Sequence, residues 1–419
     1  MRKIFSIFSA FILVNIIRVV SPFLLLPLLT HALTPSDYGI LSLYDASVLV
    51  LVPLVLFNSP GLVGARFYKT SKGYIAEVNT AALFLTVLCC CILFFFLLCF
   101  SAAELFYNSF GGEFILLLPV FVLARAINTY LAGLLQTQHK VRMFGVFSIG
   151  TLFLDLGLSL IFVSFFSMGY KGRLIASSFA FLIFSFYGIC LMRRDQLLSP
   201  FLMRERIVDI FEFGLPLIPH ALGGVSLAVS SRYLIAYMLG QGAAGVYAVG
   251  YQVGSIMLLV GTSINQAWSV SLFKWLGEGI EKSRSMIRKV MMGLFFLLLT
   301  SLAMLWFCRD FVFWLLSNHH FEDAKLLYPY MLIGFFFQSL YFLIVNFDFY
   351  EEKVKSIGIT TFFTSILSLL LCYVLVKQYG LIGAGYSYAI SMFFYFAVVL
   401  IRVVGFNMKF RGVWLRNGK

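Results

Sequence analysis

Twelve long apolar segments, at about 7–33, 40–63, 78–103, 113–135, 144–168, 173–192, 211–239, 242–268, 290–316, 327–348, 357–376 and 381–405, constrain this chain more than any other feature. Each is near or above the roughly 20 residues that an α-helix needs to cross the hydrocarbon core. In that medium every backbone polar group needs an internal partner, which only helices and closed barrels provide. The period-2 alternation of barrel strands is absent. The expected class is therefore an all-α polytopic membrane protein with twelve transmembrane helices.

Charge sets the orientation. Of the 31 Lys and Arg residues, 23 fall in the termini and loops of one side, among them Arg66, Lys72, Lys140, Arg194, Lys274, Arg288, Lys353 and Arg402. Five, namely Lys171, Arg173, Arg309, Lys325 and Lys377, fall on the other. The excess places both termini of a multi-pass membrane protein in the cytoplasm. The net charge of +13 is thus mostly a topology signal. Basic loops also suit anionic lipid headgroups, but they form no dense patch on a soluble domain, which excludes a nucleic-acid binder. The loops are too short for a soluble catalytic domain. The apolar run after Met1, Arg2 and Lys3 carries no convincing cleavage site and reads as an uncleaved signal anchor. All seven cysteines lie in apolar stretches without metal-ligand spacing, so no metal site and no disulfide framework are expected.

The two halves resemble each other. KVRMFGV at 140–146 returns as KVKSIGI at 353–359, and Gly169 and Gly172 return as Gly380 and Gly383. Leu33 and Gly39 return as Leu239 and Gly245. Three weak matches in register at equivalent turns indicate duplication. The expected organisation is a six-helix lobe at 1–192, a cytoplasmic linker at 193–210 and a second six-helix lobe at 211–419. Six is even, so both lobes insert the same way up, with binding expected at mid-depth.

The run LLPLLTHALTPSDYGILSLYD (25–45), with Pro22 and Pro27, the Arg66 exit of segment 2, the KVRMFGV loop and GQGAAGVYAVGYQ (240–252), resembles the multidrug/oligosaccharidyl-lipid/polysaccharide exporter superfamily. The polysaccharide branch, the O-antigen-unit flippases of the Wzx type, fits best. That resemblance implies a V-shaped pair of lobes with helices 1, 2, 7 and 8 lining a central cleft. It implies export of an undecaprenyl-pyrophosphate-linked oligosaccharide by alternating access. It also implies no cofactor, coupling to a proton or sodium gradient as an open alternative, and a polysaccharide polymerase and chain-length regulator as further partners. A cation-coupled drug exporter of the same superfamily is the main competitor. Such an exporter calls for an acidic cleft, whereas the buried charges here are three Arg against two Asp. A polyprenyl-dependent membrane enzyme is the other, and the large external loop typical of those enzymes is missing.

Ionisable residues at bilayer depth are costly and normally face a partner or an aqueous cavity. Arg18 lies about 20 Å below the outer end of segment 1 at 1.5 Å per residue, with only Asn15 nearby. A guanidinium holds phosphate oxygens bidentately at any relevant pH, so Arg18, with Asn15, is a candidate for the pyrophosphate; pairing with an acid of another helix is the alternative. Arg125 and Asp155 both sit near mid-depth on consecutive helices. They read either as a structural ion pair or as a second phosphate ligand beside an ion-coupling carboxylate. Asp45 and Arg232 lie at matched depth in opposite lobes, as an outer gate or as separate charges, Arg232 also being a candidate for substrate. Gln252 and Asn265 suit sugar hydroxyls or helix bridging equally. Pro22 and Pro27 are expected to kink segment 1, and Pro216 and Pro219 segment 7.

Overall fold

The computed structural model describes residues 2–100 and 112–406; among these, the side chains before Val14, those of Asn15 and Ile16, and those at 100, 113, 114, 220, 224, 228, 280–282, 354 and 404–406 lie outside the described set. All regular structure among the described residues is helical. In chain order the helices are α1 (Arg2–Ala32), α2 (Pro35–Leu56), α3 (Ser59–Arg66), α4 (Lys72–Phe100), α5 (Leu118–Thr137), α6 (Val141–Ser159) and α7 (Gly169–Arg194). There follow α8 (Arg204–Gly214), α9 (Ile218–Leu239), α10 (Gln241–Gly254), α11 (Ile256–Gly277), α12 (Ile280–Phe307), α13 (Arg309–Leu316), α14 (Ala324–Tyr350), α15 (Val354–Tyr379) and α16 (Leu381–Phe406). Ten stretches are long and apolar enough to span a bilayer. The bent pair Arg204–Leu217 and Ala221–Leu227 makes an eleventh, and Ile17–Ala32 is a shorter apolar helix within the first segment. The twelve expected segments are all accounted for.

Local chemistry explains where the helices break. Thr34 caps α2 reciprocally: its hydroxyl accepts from the Asp37 N–H at 3.1 Å, and the Asp37 carboxylate accepts from the Thr34 N–H at 3.4 Å. Pro35 follows at the first turn, where its missing N–H costs nothing. Within α1, Pro22 deprives the Arg18 carbonyl of its helical donor. The Ser21 hydroxyl supplies a substitute at 2.8 Å, and the helix runs continuously through both prolines. Segment 7 behaves differently. Pro216 lies in a short 3₁₀ turn, Leu215–Leu217, and the segment bends by 44° between α8 and α9.

Contacts divide the chain into one compact unit at Met1–Val229 and another at Ser230–Lys419. Within the first, α5 is the hub, packing on α2, α3, α4, α6 and α7; within the second, α14 packs on α10, α11, α12 and α16. The two hubs end in the same turn, 213 residues apart. His139 (φ 54) and Glu352 (φ 57) both take left-handed backbone. The next amide closes each turn five residues back: Lys140 N–H donates to Leu135 O at 3.1 Å, and Lys353 N–H to Asp348 O at 2.9 Å. Gly169 and Gly380, both at φ 60, open α7 and α16 alike. The repeat legible in the sequence is thus a repeat of backbone geometry.

The charged stretch at 193–210 is fastened to the first unit. The Arg206 guanidinium on α8 takes Glu77 of α4 at 2.9 Å and Asp209 at 2.7 Å. Asp209 also meets Arg66 at 3.4 Å. The Asn79 amide donates to Leu197 O at 2.9 Å, and Thr80 Oγ1 accepts from the Ser199 N–H at 2.9 Å.

Candidate functional site

Of the ionisable residues expected at membrane depth in the first unit, Asp45, Arg125 and Asp155 lie on α2, α5 and α6, which pack with α7. Asp155 is 4% exposed. Its carboxylate is gripped bidentately by Arg173, at 2.6 Å (Nη1 to Oδ1) and 3.0 Å (Nη2 to Oδ2). Arg173 also donates to Ser159 Oγ at 2.5 Å. The ion pair expected between Arg125 and Asp155 is therefore made by Arg173 instead. Sequence reasoning placed Arg173 in an outer loop; it is 8% exposed and belongs to the first turns of α7. Its position just past the Gly169–Gly172 turn hid it, because a charge at a turn reads as solvated.

Arg125 is linked to Asp155 indirectly. Its Nη2 donates to Ser177 Oγ at 3.3 Å, one turn along α7 from Arg173, which holds Asp155. The guanidinium lies over the Phe181 ring at 3.9 Å and the Phe121 ring at 5.2 Å, and its buried Nε has no hydrogen-bond partner among the described residues. The carboxylates of Asp45 and Asp155 are its attractive charged neighbours. Asp45 is exposed, although Tyr38–Tyr44 before it and Ala46 and Ser47 after it are buried. The chain thus directs one carboxylate out of an otherwise packed face. Beyond Ser159 the helix passes into a π-helical stretch, Leu160–Phe165, a feature that often accompanies functional sites.

Arg18 stands apart from this network. It is exposed on α1, its guanidinium lies 5.7 Å from the Phe144 ring centroid, and it forms no ion pair among the described residues. The Asn15 side chain lies outside the described residues.

The second unit carries a largely uncharged counterpart. Offsets of 206, 213 and 211 relate Asp45 to Tyr251, Arg125 to Gln338 and Ser177 to Tyr388. The Arg125–Ser177 contact reappears as Tyr388 Oη donating to Gln338 Oε1 at 3.1 Å. Tyr251 and Tyr388 meet edge-on at 5.4 Å, and Arg232 lies over Tyr251 at 5.3 Å. Gln252 is half-buried on α10 next to Tyr251. Asn265 Oδ1 accepts from Asn346 Nδ2 at 2.7 Å, so in this structure it bridges α11 to α14. A further ionic knot escaped the sequence reading. Asp348, 0% exposed, pairs with Arg402, which also donates to Ser356 Oγ at 2.7 Å and Thr360 Oγ1 at 2.6 Å. It ties α14, α15 and α16 together, and both charges sat too near helix ends to be read as buried. Among the described residues no group of His, Cys, Asp or Glu could hold a metal ion.

Comparison with known proteins fits this architecture. A multidrug resistance MATE family transporter of the MOP superfamily, solved in an inward-facing conformation, superposes with a TM-score of 0.74 at 14% identity, covering 96% of each chain. The lipid II flippase MurJ, in an inward closed conformation, gives 0.75 at 12% identity over 98% of this chain and 90% of that one. At such identities the likeness is one of fold. In Haemophilus influenzae, an uncharacterized membrane protein is 23% identical over 83% of both chains, and a protein of the Lsg locus is 23% identical over 83% of this chain and 84% of its own. Residues 1–270 match the family described as polysaccharide biosynthesis protein, and this chain, a multi-pass helical membrane protein with the transporter fold of the MOP superfamily, belongs to that family.

Proposed function

We propose that this protein moves a polyprenyl-pyrophosphate-linked oligosaccharide, a repeat unit of O-antigen or a related surface polysaccharide, across the bacterial inner membrane by alternating access. Arg18 carries the reading: an exposed guanidinium at membrane depth, free of ion pairs among the described residues. A charge left there costs about 2.5–3.5 kcal/mol on insertion scales, and an anionic ligand would offset that cost. The pyrophosphate of the lipid carrier is such a ligand, and a guanidinium fits its oxygens in pairs. Membership in a polysaccharide family supports the sugar part of the reading. Arg125 and Arg232 would serve as further anion contacts, with Gln252 and Asn265 facing sugar hydroxyls once Asn265 gives up its helix bridge. Asp45 and Asp155 are the carboxylates available for coupling to a proton or sodium gradient. With both termini cytoplasmic, an inside-negative potential favours export of the anion by about 2.3 kcal/mol per charge per 100 mV.

Similarity of fold to a multidrug transporter at an almost equal TM-score keeps drug export as the reading to be tested against. Expression in a strain lacking its own polysaccharide-unit flippase, with the matching repeat unit made, should restore surface polysaccharide. Efflux of cationic dyes with no return of surface glycan would move the protein to the drug-exporter branch.

A further inference from the structure

The first unit has an open cavity that the transport reading does not use. It offers about 740 Å³, and its walls include Tyr68, Lys72, Gln138, Lys140, Arg194 and Asp195. Three cations face one carboxylate. Lys140 bonds Asp195, and Arg194 approaches it at 3.4 Å; the Lys140 ammonium holds the Asp195 carboxyl below its usual range. Lys72 is exposed. Three cations against one carboxylate leave a net excess of two positive charges in one cavity.

Position says what those charges meet. Lys72 begins the span Lys72–Cys99, Arg194 ends the span Gly169–Arg194, and Gln138 directly follows the span Ile115–Thr137. The cavity therefore opens where three membrane helices end together, at headgroup level, on the side the charge count assigns to the cytoplasm. Tyr68 at its rim is 68% exposed, an amphipathic ring at the depth where such rings concentrate. Inward from Gln138, Asp195 and Leu197 the space narrows to a crevice of about 10 Å³ between Leu131, Leu135 and Leu191. That is room for about one water, so no acyl chain enters this crevice. The cations suit the phosphate end of a lipid, with its tails left in the bilayer outside.

We propose that this cavity is a binding site for the phosphate of an anionic phospholipid headgroup, separate from the transport substrate. Each lysine or arginine near the surface is worth about fivefold in affinity for anionic lipid. Lys72 and Arg194 together should account for about 25-fold.

The test is native mass spectrometry of the purified full-length protein in detergent, titrated with phosphatidylglycerol, with phosphatidylcholine and with inorganic phosphate. Wild-type protein should retain phosphatidylglycerol in preference to phosphatidylcholine. The Lys72→Gln/Arg194→Gln variant should bind it about 25-fold more weakly. Gln138→Glu, which adds a negative wall without removing a cation, should also weaken it, and covers the case in which the double variant fails to fold. Equal retention of phosphatidylcholine, or unchanged phosphatidylglycerol affinity in the folded variants, overturns the proposal. Saturation by inorganic phosphate without phospholipid retention would assign the cavity to a soluble phosphate and overturn the lipid reading.

Discussion

A guanidinium differs from an ammonium in shape as much as in charge, and that difference is testable at Arg18. Its planar fork meets two phosphate oxygens at once, whereas a lysine meets them as a point charge. Arg18→Ala removes a charge-assisted contact worth roughly 1.5–3 kcal/mol. Transport, read as surface polysaccharide at equal membrane levels of protein, should fall in the order Arg, Lys, Ala; full export by the alanine variant would remove Arg18 from the substrate path. Asp155 and Arg173 obey another logic. Both are nearly buried and held by two parallel hydrogen bonds, so removing one strands the other. Asp155→Asn or Arg173→Gln alone should cost roughly 3–5 kcal/mol, seen as a lower melting temperature and a lower yield of folded protein. The double variant should recover part of that loss. If it is no better than the worse single variant, the pair is not mainly structural, and Asp155 becomes the leading coupling carboxylate.

At the scale of elements, close backbone approach explains why glycine stands at the repeated turns. A Cβ on Gly383 would lie 2.0 Å from the Leu375 carbonyl oxygen, and one on Gly172 would lie 2.8 Å from that of Phe162. Both obstacles are backbone, which cannot swing aside. Gly383→Ala should therefore lower thermal stability more than Gly172→Ala, each by an amount in the roughly 1–3 kcal/mol range of overpacking. Equal, negligible shifts in melting temperature would contradict the close approach. These glycines also mark how far the sequence could be read. The helical segments and the duplicated turns were legible, because hydropathy and turn residues act locally. Arg173 and Arg402 were not, since each sits within a few residues of a helix end, where hydropathy cannot tell a solvated charge from one turned inward. The prolines of segment 7 accompany a break in its helix, whereas α1 stays one helix, where Ser21 repairs the carbonyl that Pro22 orphans.

Across the whole molecule, duplication of backbone has been followed by divergence of charge. The hubs α5 and α14 end in one kind of turn, yet the sequence equivalents of Arg125, Asp45 and Ser177 are Gln338, Tyr251 and Tyr388. The charged stretch 193–210 packs on the first unit, because Arg206 binds Glu77 and Asp209 while Asp209 reaches Arg66. The contact boundary accordingly falls at Val229, inside segment 7. This makes a prediction for a divided chain. Phe201, Leu202 and Met203 are exposed, so a cut after Phe201 disturbs little packing while separating α8 from the helices it grips. Fragments 1–201 and 202–419, co-expressed in one membrane, should co-purify through α8. Arg206→Gln should reduce the recovered complex several-fold, since this one side chain serves a network rather than a single surface pair of about 0–1 kcal/mol. Glu205→Gln should change little, its carboxylate being 84% exposed. Co-purification that ignores Arg206 would mean that something other than the α8 clasp holds the two fragments together.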